Sequence, residues 1–251
     1  MSERVSYLED AILRRAKRRK LTVDLEKMAY VDQWVFSHTK NRCRNALYVG
    51  VGHGHDALYA LLEGNVHRVV GVDPYVESDG SDEQDYKELK ELIERYDLQE
   101  RFKVYKTTIQ DYLVHSEEMF DHVFLIDVLH HIFATKSRLR KSKYFGQAIE
   151  LFGAIWKRTD HGGRLIAVEV ERYGLRQLLV RMGLIRSFID YSTKQPWYEW
   201  TAAMTAADFT YVDKSVYIPW ALRGLKNLFD NHIGLYTLSD KSIIICDKGE
   251  F

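Results

Sequence analysis

The stretch from Ala46 to Asp73 limits what this chain can fold into more than any other. An apolar run from Ala46 to Val49 ends in three glycines at alternate positions, Gly50, Gly52 and Gly54. A helical pattern follows, and a second apolar run, Val69 to Val72, closes on Asp73. Glycine lets a backbone turn sharply and approach a ligand closely. A carboxylate at the tip of the next strand accepts hydrogen bonds from both hydroxyls of a ribose. The stretch therefore predicts a strand, turn, helix and strand suited to hold a nucleoside. It does not satisfy the dinucleotide spacing G-x-G-x-x-G, because His55 stands where the third glycine would be. Taken alone, the trio reads equally as a tight turn packed against a helix.

From Ala46 onward apolar runs alternate with helical patterns. Strands are expected at 46–50, 68–72, 102–106, 121–126 and 164–170, with helices near 54–63, 83–96 and 142–158. Such alternation predicts a Rossmann-like, doubly wound α/β fold with helices on both faces of a mostly parallel sheet. Ligands of that architecture sit beyond the carboxyl ends of the strands, which brings Gly50–Gly54, Asp73, Thr107–Asp111 and Asp127–His131 to one edge. Two helices, 3–20 and 24–38, precede the first strand and make residues 1–45 an N-terminal helical extension to a domain at 46–251. The first ends in Arg14, Arg15, Lys17, Arg18, Arg19 and Lys20, a polarity that complements the helix dipole. It reads as a solvated face before an anion-binding one.

After Glu171 the pattern changes. Residues 174–189 read as an amphipathic helix broken at Gly183, and 197–207 as a helix. Two strand-like runs, 209–218 and 236–247, complete seven strands around a basic, apolar insert from Trp220 to Phe229. The segments near 172–200 and 219–233 are lid-like inserts on this reading. Composition restricts the partners. The 36 basic and 36 acidic side chains cancel, which gives no global field for nucleic acid or a membrane. Cys43 and Cys246 lie far apart and match no metal-ligand spacing. With no signal-like start and no run of spanning length, a cytoplasmic location is expected.

Four segments in order carry a resemblance: Tyr48 to Gly54, Val69 to Pro74, Phe120 to His131 and Gly162 to Glu169. Together they resemble the motif series of the class I S-adenosylmethionine-dependent methyltransferases. The resemblance implies S-adenosyl-L-methionine as cofactor and assigns site residues. Gly50, Gly52 and Gly54 would form the turn beneath its methionine portion, and Asp73 would hold the ribose. Pro74 and Tyr75 follow it, with Tyr75 packing on adenine. Thr108 and Ile109 would contact the ring, and Asp127 and Val128 would lie beside the sulfonium. The chain departs from the family at Tyr48, where an acid is usual, and at Thr108.

Methyl transfer to a hydroxyl requires alignment of the acceptor and removal of its proton. His130 and His131, just after the fourth strand, are the candidate bases, with packing at a helix start as the other reading. His53 and His55 read as cofactor-side or surface residues. Lys136, Arg138, Arg140, Lys141 and Lys143 form a basic cluster that suits a phosphate or carboxylate, or else a solvated helix start. The segment Leu175 to Phe188 is expected to pack its leucines on the core as a lid, with a lipid-linked acceptor or a membrane interface as the alternative. Trp197, Tyr198, Trp200 and Trp220 would line the acceptor pocket or belong to the core. The expected activity is methylation of an oxygen, or less readily a nitrogen, of a small metabolite or glycan intermediate. A nucleic-acid methyltransferase and a binding or scaffold protein with a decayed site are the competing readings.

Overall fold

The computed structural model describes residues 3–18, 25–39, 43–63, 65–76, 80–187, 189–217, 224, 236–237 and 241–249. Its strands are β1 (Cys43–Val49), β2 (Val66–Asp73), β3 (Phe102–Lys106), β4 (Phe120–Ile126), β5 (Thr159–Val170), β6 (Thr210–Val216) and β7 (Lys241–Asp247). They form one seven-stranded sheet in the order β3-β2-β1-β4-β5-β7-β6. The pairs β1–β2, β2–β3 and β4–β5 are parallel, whereas β7 runs antiparallel to both β5 and β6. The sheet is therefore mixed, a Rossmann-like α/β arrangement. Strands covered on both faces need near-continuous apolar runs. Leu47, Val69, Val70, Phe124, Leu125 and Ile166 are accordingly fully buried.

The chain divides into two compact units, residues 1–117 and 118–251. The first contains α1 (Glu3–Arg18), α2 (Leu25–Phe36), α3 (His55–Leu62), α4 (Glu83–Arg95) and α5 (Ile109–His115). Leu8 and Ile12 of α1 and Trp34, Val35 and Phe36 of α2 are buried, and both helices contact α3. The N-terminal helices thus share the core of this unit. A reciprocal capping box starts α4, where Asp85 N–H donates to Asp82 at 2.9 Å and Asp82 N–H to Asp85 at 3.3 Å.

The second unit contains α6 (Leu129–Ile132), α7 (Tyr144–Arg158), α8 (Leu175–Arg181) and α9 (Trp197–Ala206). Glu171, just past β5, joins three of its segments. Its carboxylate accepts from the Ser242 hydroxyl and from Trp197 N–H at 3.2 Å, and its carbonyl accepts from the Gln177 amide at 3.0 Å. The late strands are shorter than expected, and Tyr236 and Thr237 lie in a helical turn outside β7. Arg19, Lys20, Phe188, Ile218, Trp220, residues 238–240 and, apart from Gly224, the insert at 219–233 lie outside the described residues.

Two outcomes test this packing. A Cβ at Gly54 would lie 2.5 Å from Leu89 Cδ1, on a backbone already at φ 67°. Gly54→Ala is expected to destabilise the protein by about 2–3 kcal/mol, read as a lower denaturant midpoint. Burial pushes the Glu171 carboxyl from 4.5 up to about 7. The folded chain therefore holds this proton more tightly than the unfolded one. Its contribution is complete below the unfolded value and is lost as pH rises toward 7, by on the order of 3 kcal/mol. Glu171→Gln should flatten that slope in unfolding measured across the same pH range.

Candidate active site

In the first unit, β1 delivers the glycine turn to the end of β2. Gly50, Gly52 and Gly54 have φ of 69°, 51° and 67°, left-handed values that disfavour any residue with a Cβ. Gly50 and Val51 N–H both donate to Val72 C=O, at 2.8 and 3.3 Å. Asp73, 5% exposed, is the hub of the turn. Its Oδ1 accepts from Tyr75 N–H and from the Ser81 hydroxyl, each at 2.7 Å, and its Oδ2 accepts from Gly52 N–H at 2.9 Å. A carboxylate has about four lone-pair sites, which leaves one, on Oδ2, for a ligand hydroxyl.

Tyr75 presents no open ring face. Its hydroxyl donates to Gly52 C=O at 2.8 Å, its ring lies 5.0 Å from that of Tyr86, and it is buried. It braces the turn from a left-handed backbone position, φ 53°, next to Pro74. Space opens at Gly52, where an added Cβ would have no neighbour nearer than Gly50 O at 4.0 Å. That clearance suits close approach of a ligand to the backbone. Thr108 caps α5: its hydroxyl donates to Asp111 at 2.7 Å and accepts from Asp111 N–H at 3.2 Å. Ile109 beside it is buried. A cleft of about 670 Å³ takes in His53 and His55 of the turn together with Arg14, Gln84, Glu88 and Arg95, but not Asp73.

Tyr48 is buried where an acid was expected. Burial first, and then the nearby Asp56, Cys43 and Asp32, push its hydroxyl well above the ordinary tyrosine range. Behind it, burial and a hydrogen-bonded Asp56 push the Asp32 carboxyl up to about 9. Asp32 on α2 thus keeps its proton at neutral pH and shares it with Asp56 on α3, so it adds no negative charge of its own beside the turn.

In the second unit, the end of β4 is tied to β5 by Asp127 N–H donating to Val168 C=O at 2.8 Å. Asp127 takes φ 52°, pairs through Oδ2 with the ammonium of Lys241, and keeps a buried Oδ1 that has no partner among the described residues. Val128 is the N-cap of α6. The next residues meet Glu169, 2% exposed near the end of β5. Its Oε1 accepts from Leu129 N–H at 2.6 Å, and its Oε2 lies 2.7 Å from His130 Nδ1. A carboxylate there makes Nδ1 the protonated nitrogen and leaves Nε2 as the lone-pair position. His131 is exposed, with its ring 4.2 Å from that of His130.

Lys194, 8% exposed, makes no hydrogen bond or ion pair among the described residues. Burial pushes its ammonium below the ordinary lysine range, while Glu169, Asp127 and Asp190 pull it back. Gln195 next to it anchors the segment, donating to the carbonyls of Thr135 at 3.1 Å and Ser137 at 2.9 Å and accepting from Leu139 N–H at 3.0 Å. The basic cluster is partly engaged elsewhere: Arg140 N–H donates to buried Glu199 at 2.9 Å, and Arg138 bonds the Tyr173 side chain. Trp200 is core, whereas Trp197 and Tyr198 are half-buried.

Sequence reasoning missed Glu169, Lys194, Lys241 and Ser81 as site groups. Glu169 was within reach of it, because it closes the last quoted motif on the strand beside β4. The other three have no local signal.

Residues 47–143 match the family described as a methyltransferase domain. No curated protein matches the chain in sequence. Among solved structures, the N-methyltransferase NodS from Bradyrhizobium japonicum WM9 is 14% identical with TM-score 0.55, over 90% of this chain and 99% of that one. An O-methyltransferase family protein from Burkholderia thailandensis is 15% identical with TM-score 0.57, over 98% of this chain and 60% of that one. Geranyl diphosphate C-methyltransferase from Streptomyces coelicolor A3(2) is 11% identical with TM-score 0.58, over 88% and 79%. The matched methyltransferase domain spans the glycine turn, Asp73 and the end of β4, less than half of the chain, and the fold is the Rossmann-like one of these methyltransferase structures.

Proposed function

We propose that this chain is a class I S-adenosylmethionine-dependent methyltransferase that methylates a hydroxyl oxygen of a small molecule, with His130 as the base. The observation that carries this reading is the buried His130–Glu169 pair, Nδ1 to Oε2 at 2.7 Å. An alcohol or phenol must lose its proton as it is alkylated, whereas a neutral amine attacks with its own lone pair. A histidine whose Nδ1 is held by a carboxylate offers Nε2 to that proton and has the imidazolium stabilised once it forms. Glu169 acts through His130 and is a positioning residue. His131, exposed on the same short helix, is the secondary candidate. The structural neighbours bear names of N-, O- and C-methyltransferases, so the atom methylated rests on the pair and not on them.

Bound S-adenosyl-L-methionine supplies a methyl group already activated on a sulfonium. Gly50, Gly52 and Gly54 expose backbone to its methionine portion, and the open Oδ2 position of Asp73 takes a ribose hydroxyl. Pro74 and Tyr75 shape the turn behind Asp73. By the family resemblance, Thr108 and Ile109 would contact the adenine, and Asp127 and Val128 would be the residues beside the sulfonium. Lys194 offers its ammonium to an oxygen of the acceptor, which suits an anionic or strongly polar acceptor better than an apolar one.

Calorimetric titration with S-adenosylmethionine and S-adenosylhomocysteine should show binding of both, and Asp73→Ala should weaken it about tenfold or more. Unchanged affinity in that variant would remove Asp73 from the cofactor site. An acceptor screen with labelled cofactor then allows the base to be tested. His130→Gln should lower kcat about 10²–10⁴-fold with cofactor affinity retained. Glu169→Gln should lower it less, with cofactor affinity likewise retained. Wild-type turnover in His130→Gln would exclude the mechanism.

A further inference from the structure

We propose that the face formed by α8 and the turn after it docks on the anionic surface of a lipid bilayer, independently of the chemistry at His130. The polarity of α8 is reversed relative to a helix packed on a soluble core. Leu175, Leu178 and Met182, spaced i, i+3 and i+7 on one face, are 46%, 52% and 62% exposed. The residue that α8 buries is Gln177, 1% exposed, whose amide donates to Glu171 C=O at 3.0 Å. A helix in water turns its apolar stripe inward. Here the hydrogen bond from Gln177 holds the polar side in and the leucines out. The expectation that these leucines pack on the core is therefore not met. Beyond Gly183 at φ 72°, Leu184 and Ile185 extend the exposed apolar surface at 63% and 39%.

Along this stretch of sequence the charge has one sign, and the nearest acid after it, Asp190, faces Lys136 and Lys194. Arg172, Arg176, Arg181 and Arg186 occupy the stretch between Glu171 and Asp190, which contains no acid. By sequence position Arg176 and Arg181 flank the apolar stripe on α8 on either side. The Arg172 guanidinium donates to Ser137 C=O at 3.3 Å and to Lys136 C=O at 2.6 Å, and Arg138 bonds Tyr173, so Lys136 and Arg138 adjoin the same surface. An apolar stripe bordered by arginines is the composition of an interfacial helix, whose apolar side chains enter the acyl boundary while the guanidiniums meet lipid phosphates. No helix among the described residues is long and apolar enough to cross a membrane, which leaves contact at the surface. A second copy of the chain is the poorer occupant, because pairing this face with itself would set arginines against arginines.

The full chain should be co-sedimented with vesicles of phosphatidylcholine alone and of phosphatidylcholine with phosphatidylglycerol. Binding is expected to the mixed vesicles only, and to weaken as salt is raised. Leu178→Glu with Met182→Glu should reduce the bound fraction about tenfold or more, and Arg176→Gln with Arg181→Gln several-fold. Leu178 and Met182 are exposed, so the unfolding midpoint of their double variant should stay at the wild-type value, and cofactor affinity with it. Failure to bind the mixed vesicles, or equal binding by the Leu178→Glu, Met182→Glu variant, overturns the proposal. So does a concentration-dependent dimer that the same variant abolishes, which would assign the face to a second copy.

Discussion

Asp73 carries a buried carboxylate whose oxygens take hydrogen bonds from Gly52, Tyr75 and Ser81, and these bonds converge on the left-handed glycine backbone of the first unit. A buried charge is tolerable only when hydrogen-bonded, and here the bonding also sets the shape of the turn. Tyr75 returns a bond to Gly52 C=O, so the turn after β2 and the turn after β1 hold each other. The cofactor reading depends on this arrangement. The turn is pre-organised, the backbone at Gly52 stays open, and one acceptor position on Asp73 remains open.

The second unit solves a related problem with different groups. Glu169 is as deeply buried as Asp73 and is satisfied by Leu129 N–H and His130 Nδ1. One carboxylate thus fixes both the start of α6 and the orientation of the imidazole. Asp127 and Lys194 are left incompletely satisfied among the described residues, one with an open acceptor and one with open donors. Unsatisfied buried polar groups are costly in a finished core and useful in a site that expects a ligand. The Gln195 bonds keep the Lys194 segment in place without consuming its ammonium.

Much of the architecture was legible before any coordinates. β3 coincides with its expected range, and β1, β2 and β4 start one to three residues early, because buried parallel strands announce themselves as apolar runs between turn residues. α5 went unnoticed because it is too short to develop a helical period. Gly50, Gly52, Gly54 and Asp73 were legible as a tight turn and the acid beside it because their spacing has a backbone reason. The roles of Tyr75 and Thr108 were not, since whether a tyrosine faces a ligand or a carbonyl is a matter of rotamer and neighbours.

By itself the sequence determined the strand, glycine-turn, strand unit, the alternation that makes a Rossmann-like sheet, and the placement of Asp127 and His130 after an apolar strand. These are local, because periodicity and glycine conformational freedom act over a few residues. Only the tertiary structure decided that Glu169 meets His130, that Lys241 meets Asp127, and that Lys194 is buried with no partner of its own among the described residues. It also decided which way α8 faces. Those outcomes depend on the register of strands distant in sequence and on a single buried hydrogen bond that rotates a helix, and no local pattern encodes either.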